Sequence, residues 1–528
     1  MTPLALNLGD LLRMVPLWVW LLLIALFVGW MAVIWFSSGY GRLGRGADAA
    51  ELATRERETS SVWATRRTIK ALLVPGAHVT DPRQQRLGYL GKDLVASEVM
   101  ASEMVVAPTR SMKTASVVVP NVLDHEGPLL CGSVKPDVMN LTRAYRETQG
   151  PVWLFDPSRS TGTTARWSPL ATVRDWSDAL DSAKWLQDSS KVEKRGLEDR
   201  EFWDANARKV LAPLIMLAAS QGGTMRDVTR WAAQVSSLEQ LLGEEIQALG
   251  IPEAFDYWTS YAELADKTKS SVNGTLFVVL EAWGHPKVAA AVDVTGGDPS
   301  DVLQLHDLLD RNGTLYLVAP ASQQALFTPI YETLVNAVIM DVERRYAATG
   351  KPVNPPLFLC LDEAANIAPL RNLDKIASVG AGMGIKVLTV WQDGAQIHDI
   401  YGPEKARTIV SNHINKVFLS GISDSETLED LSRLIGDTTV ERVTSSSDGL
   451  GRVTLSTQYH DVRVAPAEWL RQLPAFTAVV IARNFPPMRL TTKPWFNDAE
   501  MRKRIDPAVA KEFDDYFAPK PGERKARR

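Results

Sequence analysis

Three short stretches carry residue types that handle charge and metal. The first, "APTRSMKT" (107–114), has the spacing of the phosphate-binding pattern GxxxxGK[ST], with Ala107 and Met112 where the pattern has glycine. Such a loop points successive backbone N–H groups into a concavity at the positive end of the following helix. Thr109, Arg110, Ser111 and Met112 would supply that backbone, Lys113 a mobile charge on the terminal phosphates, and Thr114 a hydroxyl ligand for Mg2+. A non-glycine residue can work at 112 if its φ stays negative and its side chain points out of the concavity, and both are expected of Met112. The second stretch, "LFLCLDEAANI", sets Asp362 and Glu363 directly after an apolar run. Carboxylates at a strand's C-terminal end face the crevice where parallel α/β sheets bind ligands. There Asp362 can hold Mg2+ through water and Glu363 can polarise an attacking water, or the acidic pair can simply cap the next helix. The third, "VLTVWQD", ends in Gln392, whose amide can orient a γ-phosphate, although a glutamine at such a place is ordinarily a surface residue.

These groups work only if strands bring them together. Short apolar runs recur at 103–107, 129–133 and 152–155, then at 314–319, 357–361, 386–391, 416–420 and 478–482. Most lack polar alternation, as in strands buried on both faces, and helical segments separate many of them. The expected fold class is therefore α/β with a mostly parallel sheet. The connection from about 323 to 348 repeats apolar residues at Leu326, Ile330, Leu334, Val338 and Val342, and Gly350 and Pro352 stop it. Between about 172 and 300 the strand pattern gives way to amphipathic helices, read as an all-α insertion domain. "TSSSDGLGRVTLSTQ" (444–458) reads as a loop or hairpin.

With 528 residues, the chain should hold two or three domains, and 45% hydrophobic with 23% charged residues is a globular composition. Its net charge of −4 confines any nucleic-acid surface to a local patch. The two cysteines, Cys131 and Cys360, sit in apolar runs with no metal-site spacing, as buried thiols of a reducing compartment do. From Met14 to Phe36 no residue is charged, a length that spans a hydrocarbon core of about 30 Å. Arg42, Arg45, Arg55, Arg57, Arg66, Arg67 and Lys70 follow it, against Arg13 alone before it. The positive-inside bias then predicts an inner or plasma membrane protein with a single N-terminal transmembrane helix and a cytoplasmic body. The expected layout is an anchor over 1–45, a juxtamembrane linker over 46–87, an α/β domain over 88–171 and 301–500 interrupted by the all-α domain 172–300, and a basic tail over 501–528.

The motifs together resemble the coupling ATPases of conjugation and type IV secretion, the TraG/TraD group. The likeness runs from the membrane anchor to about residue 496. It rests on "APTRSMKTASVVVPNVL", which keeps Pro108, Thr109, Ser111, Lys113, Pro120 and Asn121. It also rests on "CGSVKPD", Thr142 and Arg146, "LFDPSRSTGTTARWSPL", "FWDANA", "LFLCLDEAANI", "WQD" and "SDSETLEDLSRLIGDTTV". The resemblance implies a RecA-like P-loop NTPase core, with ATP and Mg2+ bound between the subunits of a homohexamer around a central channel. It implies that the protein brings a relaxase–single-stranded DNA complex to the components of a type IV secretion channel. Carried over by position, Lys113 would hold the phosphates, Thr114 and Asp362 the Mg2+, Glu363 the water and Gln392 the γ-phosphate.

Two departures from the family pattern bear on activity. Both phosphate-loop glycines are missing, and Ala381 stands where members commonly have an arginine before the glutamine strand. An arginine acting in trans is worth several orders of magnitude in rate to such a motor. Arg110, Arg371 and Arg407 are candidate substitutes, and the sequence does not choose among them. Two other readings stay open: a coupling-like scaffold that docks substrates but hydrolyses ATP feebly, and a DNA or protein translocase of the FtsK type. Single-stranded DNA channels pair basic residues with aromatic platforms. The nearest such combination, "VWATRRTIK" (62–70), lies near the anchor and suits the anionic face of a lipid bilayer.

Overall fold

The computed structural model describes residues 61–190, 197–447 and 453–517, together with Pro16. Apart from Pro16, the expected membrane span, 14–36, lies outside the described residues, as do the basic residues from 518 onward. Two compact units are present. The larger holds Val62–Ile435 and the described residues from Ala465 onward, and the smaller includes Gly436–Val464.

Fourteen strands occur among the described residues. In chain order they are β1 (Leu73–Val74), β2 (Arg86–Leu90), β3 (Asp93–Ala96), β4 (Glu103–Val106), β5 (Leu129–Ser133), β6 (Val152–Phe155) and β7 (Thr314–Val318). Then follow β8 (Leu357–Leu361), β9 (Ile385–Trp391), β10 (Asn415–Leu419), β11 (Asp437–Ser447), β12 (Val453–Arg463), β13 (Thr477–Ala482) and β14 (Met488–Thr491). All eight apolar runs singled out in the sequence are strands.

Twelve of these strands make one sheet in the order β1-β3-β2-β14-β13-β10-β4-β9-β8-β5-β7-β6. The seven from β10 to β6 are mutually parallel. Strands β5, β7, β8 and β9 are buried along their whole length, which is why their sequences lack polar alternation. The run 478–482 differs from its parallel neighbours. It belongs to β13, which pairs antiparallel with β10 and starts an antiparallel wing that takes in β14, β2, β3 and β1.

The helix Gln324–Thr349 follows β7 and buries Ile330, Leu334, Val338 and Val342, four of the five residues of its expected stripe. It ends where Gly350 takes a left-handed φ of 66° and its N–H bonds Tyr346 O, a cap that glycine adopts without steric cost. Among the described residues, only a helix containing this segment is long and apolar enough to cross a membrane, and 78% of its apolar window is buried inside the protein, so it is a core helix. Among the described residues of 176–292 there is no strand. Their α-helices include Trp176–Ser189, Leu197–Ser220, Met225–Ala233, Val235–Ala248, Pro252–Ala262, Asp266–Leu280 and Pro286–Val292, in the same compact unit as the sheet. In the smaller unit β11 and β12 pair antiparallel as a hairpin.

Part of the expected C-terminal tail is structured. Residues Ala499–Arg502 and Pro507–Phe517 are helical, and Met501 and Ile505 are buried in one cluster with Trp495, Val119 and Leu123. Val119 and Leu123 belong to the helix that follows the phosphate-loop motif. The C-terminal segment therefore backs that helix, through apolar residues scattered along a stretch rich in charge.

Candidate functional site

The parallel order decides which motifs meet. Strand β4 leads into the phosphate-loop motif, β8 into the acidic pair and β9 into Gln392, and β9 lies between the other two. Register aligns their C-terminal ends. Val106 pairs with Trp391, Leu361 pairs with Thr389, and the N–H of Ala107 extends the ladder by bonding Trp391 O at 2.9 Å. The three motifs, far apart in sequence, thus open on one crevice at the C-terminal edge of the sheet, where such sheets bind ligands.

The loop itself holds a strained shape. Met112 has φ 62° and Arg110 has φ 64°. The expectation of a negative φ at Met112 is overturned: the backbone takes the left-handed form that suits glycine, at a cost of about 1–2 kcal/mol for a side chain. Two bonds hold it there. Met112 O accepts from the N–H of Ser116 at 2.9 Å and from its hydroxyl at 2.7 Å. The Met112 side chain is 40% exposed. Thr109 and Arg110 are exposed and Ser111 is half-buried. The chain then enters a π-helical turn, Thr114–Val118, and an α-helix, Val119–Asp124. Pro120 has no N–H to return to this turn, which agrees with its wider winding.

Lys113 and Asp362 meet the requirements of a ligand site most directly. Lys113 is 7% exposed and its Nζ has no hydrogen-bond partner among the described residues. Asp362, 3% exposed, accepts at Oδ2 from the Thr114 hydroxyl at 3.0 Å and from the Ser133 hydroxyl at 3.3 Å, while its buried Oδ1 has no partner. The buried Ser111 hydroxyl also lacks one. An ammonium group left without a partner in a buried place is costly unless something outside the chain completes it. Burial pushes the Asp362 carboxyl up to about 6, against the opposing pull of the Lys113 charge and the Thr114 hydrogen bond. Burial also raises Asp137, whose charge acts on Asp362 together with that of Glu363.

Glu363 has φ 67° at the start of the short helix Ala364–Ile367 and accepts from Asn366 Nδ2 at 3.3 Å. Its side chain does not cap that helix. Three of the eight non-glycine residues with positive φ among the described residues, Arg110, Met112 and Glu363, lie in these two motifs, and such strain concentrates at functional sites. Gln392 is half-buried at the tip of β9, where its backbone N–H bonds Gln396 Oε1 at 2.9 Å and Asp393 caps the helix Gly394–Tyr401. Of the candidate arginines, Arg371 lies 3.8 Å from Asp188 and donates to Ser190 O, and Arg407 pairs with Glu404 at 3.3 Å. Arg110 stays exposed on the loop. Sequence reasoning missed Ser116 and Ser133, because a serine's role depends on which acceptor folding brings to it.

The donor set fits Mg2+ with a phosphate chain: hydroxyl and carboxylate oxygens for a hard cation, an unpaired ammonium for phosphate. A family model described as type IV secretory system conjugative DNA transfer matches residues 49–514. The chain belongs to the type IV secretory conjugative DNA transfer family. Relatives in this family include VirD4 of Agrobacterium fabrum, 23% identical over 416 residues (76% of this chain, 60% of the relative). Another is the conjugal transfer protein TraG of Escherichia coli, 26% identical over 412 residues (70% of this chain, 61% of the relative). The matches with these relatives thus span about 60% of their length. Among solved structures, the bacterial conjugative coupling protein TrwB without its N-terminal 70 residues superposes with a TM-score of 0.63 at 18% identity, over 82% of this chain and 92% of that one. TrwB in complex with ADP and Mg2+ gives a TM-score of 0.60 at 17% identity, over 82% and 94%. The fold of this chain is therefore mixed α/β with a largely parallel sheet, similar to that of TrwB.

Proposed function

We propose that this chain is a membrane-anchored ATPase that couples a relaxase–single-stranded DNA substrate to a type IV secretion channel and drives DNA transfer by hydrolysing ATP. One observation carries the catalytic part: Lys113 Nζ and Asp362 Oδ1 are buried and unpaired, while Asp362 Oδ2 accepts from the Thr114 hydroxyl. Family membership supports the transfer role, and the ADP and Mg2+ held by TrwB support the nucleotide and the metal.

In this reading the backbone of Thr109–Met112 wraps the phosphates and Lys113 neutralises them. Thr114 and Asp362 hold Mg2+, which when bound draws charge from the phosphate oxygens. Glu363 orients and polarises the attacking water, and Gln392, at the strand tip between loop and acid, senses the γ-phosphate. The layout proposed with it is an anchor spanning 14–36 in the inner membrane, a cytoplasmic body with a helical domain over 172–300, and a homohexamer that completes the site between subunits.

A second reading, a scaffold that docks substrates with little hydrolysis, is favoured by the left-handed strain at Met112 and by Ala381 in place of arginine. Hydrolysis of Mg·ATP by the full chain, with and without single-stranded DNA, separates the two. A DNA-stimulated rate that Lys113→Ala removes supports the motor. Equal background rates in both proteins would leave the scaffold.

A further inference from the structure

Strand β5 ends in Gly132 and Ser133, next to β8 and the acidic pair. Leu361 pairs with Gly132, and the N–H of Asp362 adds one more rung by bonding Gly132 O at 2.8 Å. Gly132 is needed there: a Cβ on it would come within 2.7 Å of Ile367 Cγ2, so any side chain would push away the short helix that carries Glu363 at its start. Ser133 itself is 5% exposed, and its hydroxyl donates to Asp362 Oδ2. The Asp362 backbone and side chain are thus both held from the end of β5.

We infer that Ser133 is a positioning residue for metal binding: with Thr114 it holds Asp362 Oδ2, so that Oδ1 is the one oxygen turned to a hydrated Mg2+. The inference rests on the Mg·ATP reading above. A carboxylate rotates readily about its last bond and offers two equivalent oxygens. Two hydroxyl donors on one oxygen remove that equivalence, and the orphaned Oδ1 marks the other as the free acceptor. Thr114 has a second task, since a lone pair of its hydroxyl goes to the metal while its hydrogen stays on Oδ2. Ser133 has no such task in this arrangement and serves only the carboxylate. Groups that orient a metal ligand in this way typically change metal affinity by about 10-fold to 100-fold when removed.

The test uses the full chain in detergent and a fluorescent ATP analogue, titrated with Mg2+ and separately in excess EDTA. Ser133→Ala should raise the Mg2+ concentration for half-maximal analogue binding about tenfold and leave the affinity in EDTA unchanged, with Ser133→Thr recovering most of the loss. Ser133→Cys, which keeps the bulk with a weaker donor, should fall between Ser133→Ala and wild type and serves if the alanine variant melts early. A folded Ser133→Ala with wild-type Mg2+ dependence would overturn the inference alone. So would equal losses with and without Mg2+, which would mark a general packing role. Wild type that binds no Mg·ATP would remove the functional reading and this inference with it.

Discussion

Two buried cations at opposite edges of one sheet meet opposite fates. Arg146, fully buried near the N-terminal ends of β5 and β7, donates to His125 O, to Gly127 O and, at 2.9 Å, to the Thr314 hydroxyl. Lys113, at the C-terminal edge, donates to nothing in the chain. Burial costs both groups solvation, but only Arg146 recovers it from the protein. Residue type and burial do not tell the two apart, since each is a basic residue inside a motif. Satisfaction does: the first cation is saturated by the fold, and the second has no partner among the described residues.

The largest effect should come from the unsaturated side. Lys113→Ala should lower Mg·ATP hydrolysis by about a thousandfold, ~4 kcal/mol in the barrier, with the thermal midpoint almost unmoved, as steady-state rates and melting curves would show. A large loss of stability with little loss of turnover would reverse the contrast. On the saturated side, Arg146→Leu leaves two carbonyls and a hydroxyl unpaired and should cost about 3 kcal/mol in urea unfolding, with nucleotide affinity per folded molecule preserved.

A smaller effect sharpens the picture of the loop. Met112→Gly should stabilise the protein by about 0.5–1 kcal/mol, the left-handed strain relieved less the added freedom of the unfolded chain. Met112→Ala keeps the strain and should give no such gain. If both variants unfold at the same urea concentration, strain at 112 is not being held by the Ser116 bonds.

The smallest effect returns to the N-terminal edge. Glu103 is fully buried with no partner on either oxygen, and burial pushes its carboxyl up to about 8, while burial pulls Lys386 down to about 7. A carboxyl raised in the folded state contributes stability that is fully present below its ordinary range and fades as pH rises toward 8. Glu103→Gln keeps the uncharged shape, so it should match wild type near pH 5 and melt slightly higher near pH 8. A variant less stable at both values would mean that the carboxylate form is the native one.

Much of the site was legible because its residue types are unusual where they stand. Asp362 and Glu363 follow directly on an apolar run, Lys113 and Thr114 follow another after one short loop, and the runs themselves read as strands because a sheet covered on both faces tolerates few polar residues. Loop backbone was less legible. Nothing in "TRSMKT" announces two left-handed residues, since methionine and arginine normally avoid that region, and only the Ser116 bonds show how it is held. The packing of the segment after residue 500 was not legible for a related reason, because charged residues are frequent in it while a few apolar residues decide its packing.

By itself the sequence determined the class of fold, the order of the strands along the chain and the groups able to meet phosphate and metal, because these follow from periodicity and side-chain chemistry. The tertiary structure decided which strand lies between which. It set β9 between the loop and the acid, turned Ser133 onto Asp362 and left Lys113 without a partner. Neighbours in a sheet are chosen by long-range packing, and hydrogen-bond saturation belongs to the assembled structure, so neither can be read along the chain.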